Sequence, residues 1–172
     1  MSPIQRTLKN LFLADQFSLR WITSRRGRPW LDLLMRGFTR AGDWQTWTVI
    51  FILGFSLGEP ARSIALQIAP RLIATFSLCF LIKRFSKRPR PTQSVEGHAT
   101  LVKDPDPYSF PSSHTACAWV VCISLGLIMG GPWALWIPYA SAISYSRIHV
   151  GAHYPLDVMM GAGIGTLIAF LF

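Results

Sequence analysis

The sequence predicts an all-α fold: a polytopic membrane helix bundle of about five transmembrane helices behind an amphipathic, interfacial N-terminal region. Three observations carry this reading. The 172 residues are 51% hydrophobic and only 15% charged, which is apolar for a soluble chain of this length. Long uncharged runs alternate with short turn signals, and residues 107–146 contain no Asp, Glu, Lys or Arg. The net charge of +9 would point a soluble protein towards nucleic acid. Beside apolar runs of membrane length it points instead to anionic or phosphorylated lipids as partners. The length suits one domain, 1–172, divided into interfacial helices at 1–43 and a transmembrane core at 44–172.

The elements follow in order. Residues 1–43 do not make a clean span. Ile4, Leu8, Leu11 and Phe12 recur at helical spacing beside Arg6 and Lys9, until Asp15 and Arg20 interrupt the pattern. A second piece, Trp30 to Phe38, places Leu31, Leu34 and Phe38 near one face. Both pieces are expected to lie in the membrane interface, apolar side down. Trp44 to Gly58 carries no charge and forms a span, with Trp44 and Trp47 at the interface, where tryptophan is enriched. Gly58-Glu59-Pro60 turns the chain. Arg62 to Ile82 is long enough, at about 1.5 Å per residue, to cross a core of about 30 Å. Arg71 lies near its middle and is expected to face the protein interior, pair with an acid, or snorkel along a tilted helix.

Residues 83–111 form the longest polar segment, a loop of a length that in a compact domain is usually functional or disordered. The uncharged run after it holds two spans, broken at Gly130-Gly131-Pro132, with Trp133 and Trp136 marking the interface. The last span starts near Tyr154 and runs to Phe172. Its Gly161 and Gly165 make a small-xxx-small pair that favours close helix packing. With this count, residues 1–43, the loop 83–111 and the turn 147–153 share one face of the membrane. Cys79, Cys117 and Cys122 sit in apolar runs at spacings that fit no metal knuckle, and are read as small buried hydrophobes. The N-terminus lacks an uninterrupted apolar core and a small-residue cleavage site, so no cleavable signal peptide is expected.

One short stretch, Ser146 to Asp157, concentrates chemistry between two apolar runs: a guanidinium at Arg147, imidazoles at His149 and His153, and a carboxylate at Asp157. Such groups are expensive at the bilayer edge and need a reason. His153 and Asp157 stand four apart, so a carboxylate can hold one imidazole nitrogen's proton and leave the other free. Pro155 suits the first turn of a helix, which predicts a loop carrying His153 and a helix starting near Tyr154. Two further groups lie on the same face. Lys83 precedes Arg90-Pro91 in a basic segment, and Pro111-Ser112-Ser113-His114 precedes the apolar helix starting near Thr115. Ser112 and Ser113 occupy an N-cap position, where free backbone N–H groups and the helix dipole favour an anion. Converging cations suit a phosphate, whose transition state spreads charge over three oxygens. Arg84, Lys87 and Arg88 are read as an ordinary basic membrane flank.

In order and spacing these three motifs resemble those of the type-2 phosphatidic acid phosphatase family, which shares its site with the vanadium haloperoxidases. The resemblance implies a nucleophilic role for His153, giving a phosphohistidine, with Asp157 holding its tautomer. It makes His114 the acid that protonates the leaving oxygen and later the base that activates water. Lys83, Arg90, Arg147, the Ser112 hydroxyl and the Ser113 N–H would stabilise the phosphoryl oxygens. No metal or other cofactor is implied. The chain departs from the family at Ser113, where glycine is usual, which leaves the donor geometry there open. His149, His153 and Asp157 mimic a metal-ligand set at helical spacing, but Gly151 and Pro155 argue against one continuous helix. Nothing is assigned to His98.

The leading expectation is a metal-independent hydrolase acting on a membrane lipid phosphate or diphosphate of the polyprenyl, phosphatidic acid or phosphatidylglycerophosphate type. A lipid phosphotransferase using the same intermediate and a catalytically silent lipid-binding protein are the alternatives. Orientation carries a conflict. Residues 1–43 hold eight Arg and Lys against three Asp, which places the site on the cytoplasmic face, in a bacterial inner membrane. Six-span members of the family carry the site on the outer face.

Overall fold

The computed structural model describes residues 2–104 and 106–172, and its regular elements are eight helices. They are α1 (Pro3–Thr23), α2 (Pro29–Ala41), α3 (Trp44–Ser56), α4 (Ala61–Ser86), the short α5 (Pro91–Ser94), α6 (Ser113–Met129), α7 (Trp133–His149) and α8 (Pro155–Leu171). No strand occurs among the described residues; Pro89 and Tyr108 form one isolated bridge.

Local chemistry sets the ends. Ser2 and Gln5 make a reciprocal capping box at α1, and prolines stand at the starts of α1, α2, α5 and α8. α6 ends at Gly130 in the left-handed conformation, the usual helix-terminating role of glycine. α6 is apolar on every side and is packed by α4, α7 and α8. Its Ala116, Ala118, Val120, Val121 and Ile123 meet Cys79, Ile143, Ile164 and Ile168 in the main core. The glycine pair of α8 makes that packing possible. A Cβ on Gly161 would lie 2.5 Å from the Ser112 carbonyl oxygen, and one on Gly165 would collide with the Ala116 carbonyl. On the outside, α3, α4 and α8 expose Val49, Leu53, Leu66, Leu81, Met159 and Phe170.

The structure revises several expectations. Asp15 and Arg20 do not interrupt α1, which runs unbroken through both. Asp15 points inward and is buried beside Leu19, while Arg20 stays outside. The side chains of Ile4 and Leu8 lie outside the described residues. In α2 the inward face is Leu31, Met35 and Phe38, and Leu34 turns outward with Leu33 and Trp30. Trp47 is not an interfacial residue: it is buried, and its Nε1–H donates to the Gly42 carbonyl at 3.2 Å. Among the described residues one helix, the 26-residue α4, is both long and apolar enough to cross a membrane. α6, α7 and α8, at 17 residues each, lie at the lower limit for a span, and α3, at 13, falls below it. Among the described residues Arg71 has no acid partner; its Nη1–H donates to the Gln67 carbonyl at 2.8 Å, one turn back on its own helix.

Candidate active site

A cavity of about 980 Å³ opens between α3 and α4, and its polar end is formed by Lys83, Arg90, Asp106, Ser113, His114 and His153. These residues come from α4, the loop after it, the start of α6 and the α7–α8 turn. Lys83 sits in the last turn of α4, buried, and its ammonium donates to the Tyr108 carbonyl at 2.7 Å. Arg90 is buried immediately before α5. Its Nε–H donates to the Asp106 carbonyl at 2.6 Å and its Nη1 to the Ala152 carbonyl at 2.9 Å, with the same Nη1 3.4 Å from His153 Nε2.

The long loop is therefore folded onto the cations. Asp106 Oδ1 lies 3.3 Å from Lys83 Nζ and 3.1 Å from Arg90 Nη2, and Asp104 Oδ1 lies 3.3 Å from Arg90 Nη1. Burial opposes ionisation of Asp106, but Lys83 and Arg90 outweigh it and hold the carboxyl below the usual carboxylate range. Arg147, near the end of α7, is fully buried, and its Nε and Nη2 have no partner among the described residues. A buried guanidinium with unspent donors is costly unless an anion meets it.

His153 stands in the turn between α7 and α8. Gly151 makes this turn with φ of +81°, a conformation that disfavours any side chain. The imidazole is buried. Burial first, then Arg147, Arg90, Lys83 and His114, hold its pKa well below the usual imidazole value, so the ring is neutral at pH 7. Its Nδ1 faces Asp157 Oδ2 at 3.6 Å, within ion-pair range but longer than a hydrogen bond. That oxygen accepts the Tyr154 N–H at 2.9 Å, because Asp157 is also the N3 residue that caps α8. Its other oxygen is 2.7 Å from Arg88 Nη1, and Arg88 Nη2 is 2.6 Å from Asp15 of α1. The guanidinium also stacks on the Tyr154 ring, 4.3 Å from its centroid. The reading of Arg88 as a solvated basic flank is thus corrected: it is a half-buried bridge between two buried carboxylates. Arg84 and Lys87, by contrast, are exposed.

His114 lies in the first turn of α6, where Ser112 is the N-cap. The Ser112 hydroxyl makes no cap bond; it accepts the Thr115 hydroxyl at 3.1 Å, and its backbone N–H donates to the Asp157 carbonyl at 3.0 Å. Ser113 begins the helix and lines the cavity. His114 Nε2 is 2.7 Å from Asp43 Oδ1, a partner supplied by the turn between α2 and α3. The hydrogen bond to His114 is the main cause that holds the Asp43 carboxyl below the usual range.

The family model of the PAP2 superfamily matches residues 64–172. The chain belongs to the PAP2 superfamily. Among its relatives, an undecaprenyl-diphosphatase of Sulfolobus acidocaldarius is 30% identical over 129 residues, covering 73% of this chain and 52% of that one. The chain thus spans about half the length of that relative. A decaprenylphosphoryl-5-phosphoribose phosphatase of Mycobacterium tuberculosis is 28% identical over 142 residues, 82% of this chain and 78% of that one. Among solved structures, LpxE of Aquifex aeolicus superposes with a TM-score of 0.77 at 28% identity, covering 91% of this chain and 92% of that one. The PAP2 match leaves out residues 1–63, so Asp15, Asp32 and Asp43 come from outside the matched segment.

Those three aspartates are what motif reading missed in this PAP2 chain. Asp15 and Asp32 each stand in an amphipathic helix, where an acid on the inward side was the available signal, and Asp43 stands in the turn between α2 and α3, which offered none. His149 and His98 also find their places. His149 is buried with Nε2 2.8 Å from Asp32 Oδ1, while His98 Nε2 lies 3.0 Å from the Gly151 carbonyl. Arg26 joins this cluster, donating to the carbonyls of His149 at 2.6 Å and Ala99 at 2.7 Å. The cluster ties the α1–α2 segment to the turn that carries His153. His149, His153 and Asp157 do not share a helix, because α7 ends at His149 and α8 starts at Pro155.

Proposed function

We propose that this PAP2 protein is an integral membrane phosphatase that hydrolyses a polyprenyl phosphate or diphosphate through a phosphohistidine, without a metal. One observation carries the reading. The cavity that begins at His153, His114 and the cations continues as an apolar groove between α3 and α4, lined by Trp47, Phe51, Phe55, Leu72, Phe76 and Phe80. From Lys83 to Ala69 it follows α4 for about 20 Å, at about 1.5 Å per residue. A phosphate end joined to a long hydrocarbon end describes an amphiphile, and an open side between two helices lets it arrive from the bilayer. The outward apolar surface of α3, α4 and α8 supports the same setting, since apolar patches of that extent mark a membrane or a partner. The prenyl lipids in the names of the two relatives are amphiphiles of this kind.

The geometry supports the following chemistry. Neutral His153 attacks phosphorus through Nε2, since Nδ1 faces Asp157. The P–N bond forms as the P–O bond to the lipid breaks, and the departing oxygen takes a proton from His114. Lys83, Arg90, Arg147, the Ser112 hydroxyl and the Ser113 N–H neutralise the three equatorial oxygens. Water then attacks phosphorus, His114 takes its proton, the P–N bond breaks, and His153 is restored with release of phosphate. Asp157 balances the charge that grows on the imidazole ring, and Arg88 holds Asp157 in place.

The positive charge of residues 1–43 supports a site on the cytoplasmic face of a bacterial inner membrane. Labelling a cysteine at residue 2 or 98 with an impermeant reagent tests that placement; labelling from the outside of intact cells contradicts it. For the activity, purified protein in detergent is expected to release phosphate from a polyprenyl phosphate in EDTA with no added acceptor. Loss of turnover on chelation overturns the metal-free scheme, and phosphate release only with an added alcohol favours a transferase.

A further inference from the structure

We infer that Asp43 is the positioning residue for His114, so that the site holds two carboxylate–imidazole pairs, one for the nucleophile and one for the proton donor and acceptor. The inference deepens the proposed reading and rests on it. Asp43 is the N-cap residue of α3, and aspartate in that place ordinarily spends its carboxylate on the helix's own N–H groups. Here it makes no such bond and reaches His114 Nε2 at 2.7 Å, 71 residues along the chain. The turn is pressed into place for this contact. A Cβ on the preceding Gly42 would lie 2.9 Å from Ile143 Cγ2 and 3.5 Å from His114 Cδ2, so glycine permits the close approach. Gly42 is fixed from the other side by the Trp47 indole.

The pairing selects one use of the ring. With Nε2–H committed to Asp43, Nδ1 is the nitrogen left for proton transfer. When His114 is doubly protonated, the Asp43 carboxylate at 2.7 Å balances its charge. Nδ1–H then goes to the departing lipid oxygen as the P–O bond breaks. In the second half, Nδ1 takes a proton from water as its oxygen bonds to phosphorus, and the starting state returns. Asp43 touches neither substrate nor phosphorus in this scheme and acts only through the imidazole.

The test uses the whole protein in detergent and single-turnover phosphorylation of the enzyme by two substrates. One is an isoprenoid alcohol monophosphate, whose alkoxide needs a proton to leave. The other is p-nitrophenyl phosphate, whose phenolate leaves unaided. For Asp43→Asn the phosphorylation rate is expected to fall about 10- to 100-fold with the isoprenoid substrate and less than about threefold with the nitrophenyl one. In a His114→Ala background, Asp43→Asn should have no further effect. An equal fall with both substrates, or a full additional loss in the His114→Ala background, makes Asp43 merely structural and overturns the inference. A wild-type protein that hydrolyses nitrophenyl phosphate but no prenyl phosphate overturns the substrate class alone. The pair is then tested with any other alkyl phosphate that turns over. A wild-type protein that hydrolyses neither overturns the phosphatase reading and the pair with it.

Discussion

Arg88 and Asp157 meet at 2.7 Å in a buried pair, and the same guanidinium reaches across to Asp15 at 2.6 Å. One cation therefore serves two carboxylates from opposite ends of the chain, and Asp15 also accepts the Leu156 N–H at 2.9 Å. The α1 helix is thereby fastened to the start of α8, three residues from His153.

Removing Arg88 leaves two buried carboxylates unbalanced, a change that in comparable pairs costs about 3–5 kcal/mol. Arg88→Met is expected to lower the thermal midpoint in detergent and to cut kcat by at least about tenfold. Asp15→Asn, which keeps one acceptor for Leu156, should do less on both counts. Equal turnover in wild type and Arg88→Met would show that the bridge plays no part in the site.

The neutrality of His153 has a pH signature. Its folded pKa lies below the ordinary 6.5, so between the two values the unfolded chain binds a proton that the folded chain refuses. Stability from this residue is complete above the unfolded value and falls as the pH drops below it. Thermal unfolding of wild type is expected to be more acid-sensitive below pH 6.5 than that of His153→Gln. The acid limb of kcat/KM for His153 should likewise lie below 6.5, and a limb at that value that tracks His153 would contradict its buried, cation-flanked setting.

Under the proposed function, Asp106, at 3.3 Å from Lys83 and 3.1 Å from Arg90, competes with the substrate for these cations. Asp106→Asn removes a negative charge beside the phosphoryl site while keeping the shape of the side chain. Inorganic phosphate and vanadate are expected to inhibit the variant at roughly tenfold lower concentration, about 1.4 kcal/mol. Unchanged inhibition constants would mean that the carboxylate holds the cations from behind and does not face the anion.

The groove gives a chain-length prediction. Leu72→Trp narrows the passage between α3 and α4 at a distance from the cations. KM for a long prenyl phosphate should rise by about tenfold, again about 1.4 kcal/mol, while turnover of a short-chain phosphate stays within about twofold. Equal effects on both would place the hydrocarbon elsewhere.

Helix packing supplies a control of another kind. Gly161→Leu forces a side chain into the Ser112 carbonyl and should destabilise by about 1–3 kcal/mol, whereas Gly163 has nothing within 4 Å of its Cβ position and tolerates leucine. Matching thermal midpoints for the two variants would contradict the α6–α8 contact.

Much of this arrangement was legible in the sequence. Gly161 and Gly165 announced a close helix contact, Pro155 set the start of α8, and the three short motifs gathered their cations and imidazoles at one end of the bundle. The residues that escaped notice share a physical cause. Asp15 looked like an interruption of an amphipathic helix because its partner, Arg88, lies 73 residues away, and no local pattern encodes that distance. Asp43 drew no reading at all for the same reason, since its partner His114 lies 71 residues away. Trp47 had the composition of an interfacial residue, yet a single carbonyl on Gly42 gives its indole a buried home. Spacing within one helix is readable from periodicity; pairing between distant turns is set by the packing of the whole bundle.

The central claim is that His153 carries phosphate during turnover, and trapping the intermediate tests it most directly. Protein mixed with a ³²P-labelled prenyl phosphate in EDTA, then quenched in alkali, should show an acid-labile label on the peptide containing His153. The label should be missing from His153→Ala, and with ³²P-labelled p-nitrophenyl phosphate, whose phenolate leaves without a proton, it should accumulate in His114→Ala. A label on another residue, or its persistence after His153 is replaced, would contradict the account.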